Sequence, residues 1–188
     1  MTGAGEPSFE LRPLAETDSF TSIKPGGETF LPLKTFARKH AKAYEAQNLA
    51  RTYVVEDEGL GRIAAYVTLV CSEVVSEAGM VEADGLHFPY DSYPAVKIVR
   101  LLVDERYRAG GFGFGRILVN FSLGLARDEV CPAVGCRFVV VEAKSESVGF
   151  YEWCGFTLLD TEANRQRSEP VMYVDLHKTG LGGASALS

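Results

Sequence analysis

Leu102-Val103-Asp104-Glu105-Arg106-Tyr107-Arg108-Ala109-Gly110-Gly111-Phe112-Gly113 joins a strand-like run to a helix-like one. Before it, Pro94 to Val103 is rich in aliphatic and β-branched residues and reads as a long strand. After it, Phe114, Ile117, Leu118, Phe121 and Leu125 fall at i, i+3, i+4, i+7 and i+11, the apolar stripe of a helix. Glycines let a ligand approach the backbone closely, and the helix N-terminus that follows adds N–H donors and a partial positive charge. The stretch therefore predicts a cradle for a pyrophosphate. A P-loop would need a Lys after its last glycine, and none follows a suitable one here; a G-x-G-x-x-G fingerprint fails because Arg116 stands where the third glycine belongs. The pattern that fits is Arg/Gln-x-x-Gly-x-Gly, as Arg108, Gly111 and Gly113.

Working outward, Phe9 to Leu14 alternates briefly as a first strand, and Thr17 to Gly27 is a turn-rich connector. Leu33, Phe36, Ala37, His40, Ala41 and Tyr44 form a helical stripe that predicts one helix, with His40 packed at its inner edge. Arg51–Glu56 and Ile63–Val70 read as strands across a hairpin-length connection. Cys136–Glu142 is a nearly continuous apolar run, as expected of a strand covered on both faces. A short helix from about Ser145 to Trp153, a turn at Gly155-Phe156 into another strand, and a last strand at Val171–Leu176 complete the order. One mixed sheet with helices on both faces accommodates it, in the α/β (α+β) class.

With 188 residues, 46% hydrophobic and 23% charged, the composition excludes a mostly disordered or collagen-like chain. We expect one domain over 8–178, a flexible start at 1–7 and a disordered tail at 179–188. No apolar run approaches the roughly 18 residues that span a bilayer, and the first residues do not read as a secretory signal, so a cytoplasmic protein without membrane contact is expected. The four cysteines lack a CxxC pair or a nearby His partner; we expect no metal and read all four as small apolar side chains. The net charge of −6 argues against a general nucleic-acid binder, yet residues 31–51 carry a local +4 and residues 73–94 carry five acids and no Lys or Arg.

The frame Val103-Asp104-x-x-Tyr107-Arg108 before the glycines, followed by Val141-Glu142-Ala143 and Phe150-Tyr151-Glu152-Trp153-Cys154-Gly155-Phe156, resembles the GNAT superfamily of acyl-CoA-dependent N-acetyltransferases over about residues 51–176. The resemblance implies a single GNAT-like domain whose mostly antiparallel sheet has six to seven strands, two of them, 95–103 and 136–142, splayed to admit acetyl-CoA. It implies cofactor contacts along Leu101, Leu102 and Val103, and a pyrophosphate site at Arg108, Ala109, Gly110, Gly111, Phe112, Gly113 and Phe114. Lys144 stands where the family often has a contacting Asn. It implies Tyr151 as the acid that protonates the leaving thiolate. No residue stands out as general base; Glu56, Glu73 and Asp104 lie near strand ends without distinction.

Phe36-Ala37-Arg38-Lys39-His40, Ala50-Arg51-Thr52-Tyr53-Val54, Ala65-Tyr66-Val67-Thr68-Leu69, Lys97-Ile98-Val99-Arg100-Leu101 and Ala143-Lys144-Ser145-Glu146 resemble in particular the acetyltransferases of bacterial toxin–antitoxin pairs, although those tend to be basic. The leading expectation is transfer of acetyl from acetyl-CoA to a primary amine by direct attack in a ternary complex. The alternatives are a toxin acetylating aminoacyl-tRNA, held through the basic helix 31–51, and a non-catalytic acyl-CoA- or partner-binding module. The resemblance leaves room for a homodimer and an antitoxin partner.

Overall fold

The computed structural model describes residues 7–75, 90 and 92–179. Its seven strands are β1 (Phe9–Pro13), β2 (Arg51–Asp57), β3 (Arg62–Val75), β4 (Ser92–Val103), β5 (Phe138–Glu142), β6 (Thr157–Leu158) and β7 (Val171–Asp175). The helices are α1 (Leu31–Lys39), α2 (Ala41–Ala46), α3 (Glu105–Ala109), α4 (Phe114–Leu125), α5 (Cys131–Val134), α6 (Val148–Trp153), α7 (Glu162–Arg165) and α8 (Leu176–Thr179). The strands form one sheet in the order β1-β2-β3-β4-β5-β7-β6. β1–β2, β2–β3, β5–β7 and β6–β7 pair antiparallel, whereas β4 and β5 run parallel. The expected mixed, mostly antiparallel sheet is present. The parallel ladder covers Ala95↔Phe138 to Ile98↔Val141, while β4 itself continues to Val103.

The chain divides into two compact units, Met1–Val70 with Val99–Val119 and Cys71–Ile98 with Asn120–Ser188. In the first, Phe36, Ala37 and Ala41 of α1 and α2 pack with Val54, Ile63, Tyr66 and Leu102 around Phe20 and Ile23. Tyr66 is fully buried, and its hydroxyl donates to the Leu33 carbonyl at 2.7 Å, fixing α1 on β3. The paired Thr52 and Thr68 are also buried and share a hydroxyl hydrogen bond of 2.9 Å, so neither oxygen is stranded. In the second unit Val74, Ala95, Phe138, Val140 and Leu159 form the core cluster. Phe138 to Val141 are buried without a break, as the unalternating run implied.

Two expectations are revised, both within residues 33–44. The helical stripe 33–44 is two helices, because the chain breaks at His40, with φ −125°. That break leaves Phe36, Ala37 and Ala41 buried but turns His40 and Tyr44 outward, so His40 is exposed rather than packed inside. The acidic stretch is partly strand: β3 reaches Val75 and β4 begins at Ser92, while Glu77, Glu82, Asp84 and Asp91 lie outside the described residues. Of the four free cysteines, Cys71 is exposed and Cys131, Cys136 and Cys154 are half-buried. The anticipated flexible start and tail fall outside the described residues, apart from Pro7 and Thr179.

Tyr66→Phe keeps the ring and removes only the donor to Leu33. We expect a loss of about 1 kcal/mol in urea unfolding, the usual worth of one buried neutral hydrogen bond.

Candidate active site

Asp104 ends β4 and starts the glycine stretch. Its side chain is entirely buried. It accepts from the backbone N–H groups of Lys24 (2.8 Å) and Arg106 (2.9 Å) and from the Arg106 Nε (2.8 Å). Its own N–H donates to the Ala64 carbonyl on β3 at 2.9 Å. Burial pushes the carboxyl pKa up, but the Arg106 guanidinium and the two backbone donors outweigh it, and the group stays below the usual range. The Asp104 side chain thus serves as N-cap of α3, a short helix the sequence reading had merged into the turn. One turn on, the buried Tyr107 hydroxyl donates to the buried Asp57 Oδ2 at 2.5 Å; burial, then that hydrogen bond, push its pKa up to about 12. The Tyr107 ring meets Phe9, Phe112 and Phe114.

Between α3 and α4 the backbone turns sharply. Gly111 and Gly113 both have φ +71°, a conformation L side chains rarely adopt. Where a Cβ would sit on either, no heavy atom beyond the adjoining residues lies within 4 Å among the described residues. The first hydrogen bond of α4 runs from the Ile117 N–H to the Gly113 carbonyl at 3.1 Å, so the amides before Ile117 belong to the helix's opening turn. This open, glycine-lined turn fits a pyrophosphate. Ala109, Gly110 and Phe112 are exposed within it, and Phe114 is buried, with Phe112 stacked on it at 5.5 Å. Arg108 is exposed, donates to the Pro25 carbonyl at 3.2 Å and lies over the Phe30 ring. The Leu102 side chain points into the core, whereas Leu101 and Val103 are half-buried.

In the second unit Tyr151 lies in α6, 7% exposed, with its ring edge-on to Phe150 at 5.1 Å and Phe156 at 5.5 Å. Its carbonyl accepts from the Phe156 N–H at 3.0 Å, which closes the Gly155 turn, where φ is +93°. Burial raises the phenol pKa above its ordinary value, which already lies well above neutrality, so Tyr151 is a weaker acid than an exposed tyrosine. Lys144, half-buried, precedes the turn Ser145–Ser147, and its carbonyl accepts from the Ser147 N–H at 2.7 Å.

The candidate bases are mostly engaged. Glu56 pairs with Arg12, Asp104 with Arg106, and Glu73, exposed, accepts from the Ser92 hydroxyl at 2.7 Å. Sequence reasoning missed a pocket of about 510 Å³ in the second unit, walled by Val74, Val140, Leu159 and Val171 among others. At its polar side Glu142 accepts from Lys97 and Arg167, each at 2.7 Å; the Lys97 bond, working against burial, holds the Glu142 carboxyl below the usual range. The signal was a charge in each of two largely apolar strands, Lys97 in β4 and Glu142 in β5.

Because the Asp104 pKa is depressed on folding, its stabilisation is present above the unfolded carboxyl value, near 4, and is lost as pH falls through the folded one. Asp104→Asn should flatten the acid limb of a stability–pH curve below about pH 4. Asp104→Ala should cost about 2–3 kcal/mol in urea unfolding at pH 7.

No group of three or more His, Cys, Asp or Glu that could hold a metal occurs among the described residues, and no helix there is long and apolar enough to cross a membrane. No curated protein matches the chain by sequence. Among solved structures, the fold is similar to a tyrosine-to-phenylalanine mutant of KacT, at 24% identity over 90% of this chain and 96% of that one, with a TM-score of 0.74. It is similar to AtaT complexed with acetyl-methionyl-tRNAfMet, at 21% identity over 91% and 96%, TM-score 0.76. A crystal structure of a bacterial toxin is similar at 15% identity over 92% and 93%, TM-score 0.77. The profile of the acetyltransferase (GNAT) family matches residues 17–156, which take in the capped strand end, the two left-handed glycines and the Tyr151 turn. On that match the chain belongs to the acetyltransferase (GNAT) family, and it is an acetyltransferase.

Proposed function

We propose that the chain moves an acetyl group from acetyl-CoA to a primary amine by direct attack in a ternary complex. The observation that carries this is the open turn with Gly111 and Gly113 both left-handed, at the N-terminus of a twelve-residue helix. In this reading the turn Arg108–Phe114 holds the pyrophosphate through backbone N–H groups. The backbone of Leu101–Val103 pairs with the pantetheine arm, an N–H near Leu101 donates to the thioester oxygen, and Lys144 takes the place of the family's Asn. Acetyl-CoA supplies an activated acyl group and a thiolate leaving group. The Tyr151 phenol, protonated at neutral pH like any tyrosine, donates its proton to that thiolate.

Glu56 and Asp104 are held in ion pairs, which weakens the case for a side-chain base. An acceptor that loses its proton readily needs none. An α-amino group with a pKa near 7.8 is roughly one-seventh neutral at pH 7, whereas a lysine is neutral well below about 1% of the time. This favours an α-amino acceptor. A second reading makes that acceptor the amino acid of an aminoacyl-tRNA. It is supported by Arg38 and Lys39 on α1, exposed and without a partner among the described residues, and by the likeness to AtaT solved with acetyl-methionyl-tRNAfMet. AtaT has also been solved with its antitoxin AtaR, and a cytoplasmic enzyme with an antitoxin partner, active as a homodimer, fits the same reading.

Two experiments test the core of this. Gly111→Asp and Gly113→Asp force a side chain into a left-handed position and put negative charge where phosphates would sit; calorimetry should find acetyl-CoA binding lost, and parent-like affinity in either would move the cradle elsewhere. Tyr151→Phe should lower kcat about 10²–10⁴-fold while acetyl-CoA affinity and Tm stay near those of the parent. A kcat within about threefold of the parent would remove Tyr151 as the acid and leave bound water as the donor.

A further inference from the structure

Three rings meet where α1 gives way to α2. Phe36 and Tyr44 are edge-on at 5.3 Å, and His40 lies 6.3 Å from Phe36 and 6.2 Å from Tyr44. Phe36 roots the group in the core, while His40 is exposed and Tyr44 is 39% exposed. The exposed Arg100 places its guanidinium over the Phe36 ring, 5.3 Å from the centroid. The charges around them sort into two kinds. Lys42 is tied to the Glu16 carbonyl and Arg51 to Glu45, but Arg38 and Lys39 are exposed and have no partner among the described residues.

We propose that His40, Tyr44 and Arg100, seated on Phe36 and flanked by Arg38 and Lys39, form a stacking platform for the unpaired bases of single-stranded RNA. Exposed π-faces beside unpaired cations suit a ligand with flat bases on an anionic backbone, and stacking is tolerant of sequence because every base has a π-face. An apolar helix would gain little from cations whose heads stay in water. The local charge of +4 over residues 31–51, in a chain of net charge −6, is complementary to phosphate. The proposal rests on the aminoacyl-tRNA reading and assigns the unpaired end of that RNA to named side chains.

The test is fluorescence anisotropy of the full chain with a labelled single-stranded RNA of about 12 nucleotides ending in CCA, a length within the range such platforms bind. Tyr44→Leu and His40→Leu should each weaken binding about tenfold without changing the salt slope, and Tyr44→Phe should restore it. Arg38→Ala and Lys39→Ala should instead flatten the slope of log K against log salt by about 0.7 each, the share of one phosphate contact on a single strand. Unchanged acetyl-CoA affinity in Tyr44→Leu verifies that it folds. Binding by the leucine variants within about twofold of the parent, or preference for a duplex of equal length, overturns the platform. Displacement of the RNA by an acidic peptide with the same dependence on Tyr44 reassigns the surface to a protein partner and overturns it too. A parent that acetylates aminoacyl-tRNA while the leucine variants do so at full rate sinks the platform alone; a parent that neither binds the RNA nor acetylates aminoacyl-tRNA sinks both readings.

Discussion

The first unit is organised around a carboxylate buried from solvent. Asp104 is buried at the end of β4, where its ion pair with Arg106 and the N–H groups of Lys24 and Arg106 satisfy its charge. Those bonds tie three things together: the end of a strand, the start of α3, and the connector that precedes α1. An unpaired carboxylate in that position would be intolerable, so the partners are as fixed as the charge itself. The glycine turn begins one helical turn later, and its position is set by this anchor rather than by the glycines.

Beyond the anchor, the backbone itself does the work. At Gly111 and Gly113 the left-handed conformation requires glycine, and among the described residues beyond the adjoining ones no heavy atom lies within 4 Å of where a Cβ would sit. The aromatic group of Phe9, Tyr107, Phe112 and Phe114 borders the turn, and the Tyr107–Asp57 hydrogen bond secures its base. In the second unit the same residue type is used differently. Tyr151 lies edge-on to Phe150 and Phe156, and burial raises its phenol pKa. One tyrosine is a strut because its hydroxyl meets a carboxylate; the other packs against hydrocarbon.

Much of this was legible in the sequence because it depends on local backbone preference and on period. The uninterrupted run Phe138–Val141 could only be a strand covered on both faces, and it is buried without a break. The stripe from Phe114 to Leu125 gave α4 its extent. The helix over 33–44 was legible in its apolar positions but not in its break, since one residue's φ at His40 carries no compositional mark. That single dihedral exposed the rings of His40 and Tyr44, which periodicity alone had assigned to one continuous face.

The order of the main strands, the helix after the glycines and the motif around Tyr151 could be read along the chain because each follows from short-range sterics and apolar spacing, whereas α3 and the break at His40 could not. Tertiary structure alone decided which charges are free. Glu56, Asp104, Lys42 and Glu142 look like surface charges when read along the chain, yet their partners Arg12, Lys24, Glu16, Lys97 and Arg167 come mostly from distant segments. Asp104 alone also meets a neighbour, Arg106, two residues on. Electrostatic pairing acts through space and is indifferent to sequence separation. A candidate base, a phosphate contact and a structural cap therefore share one appearance until the chain has folded.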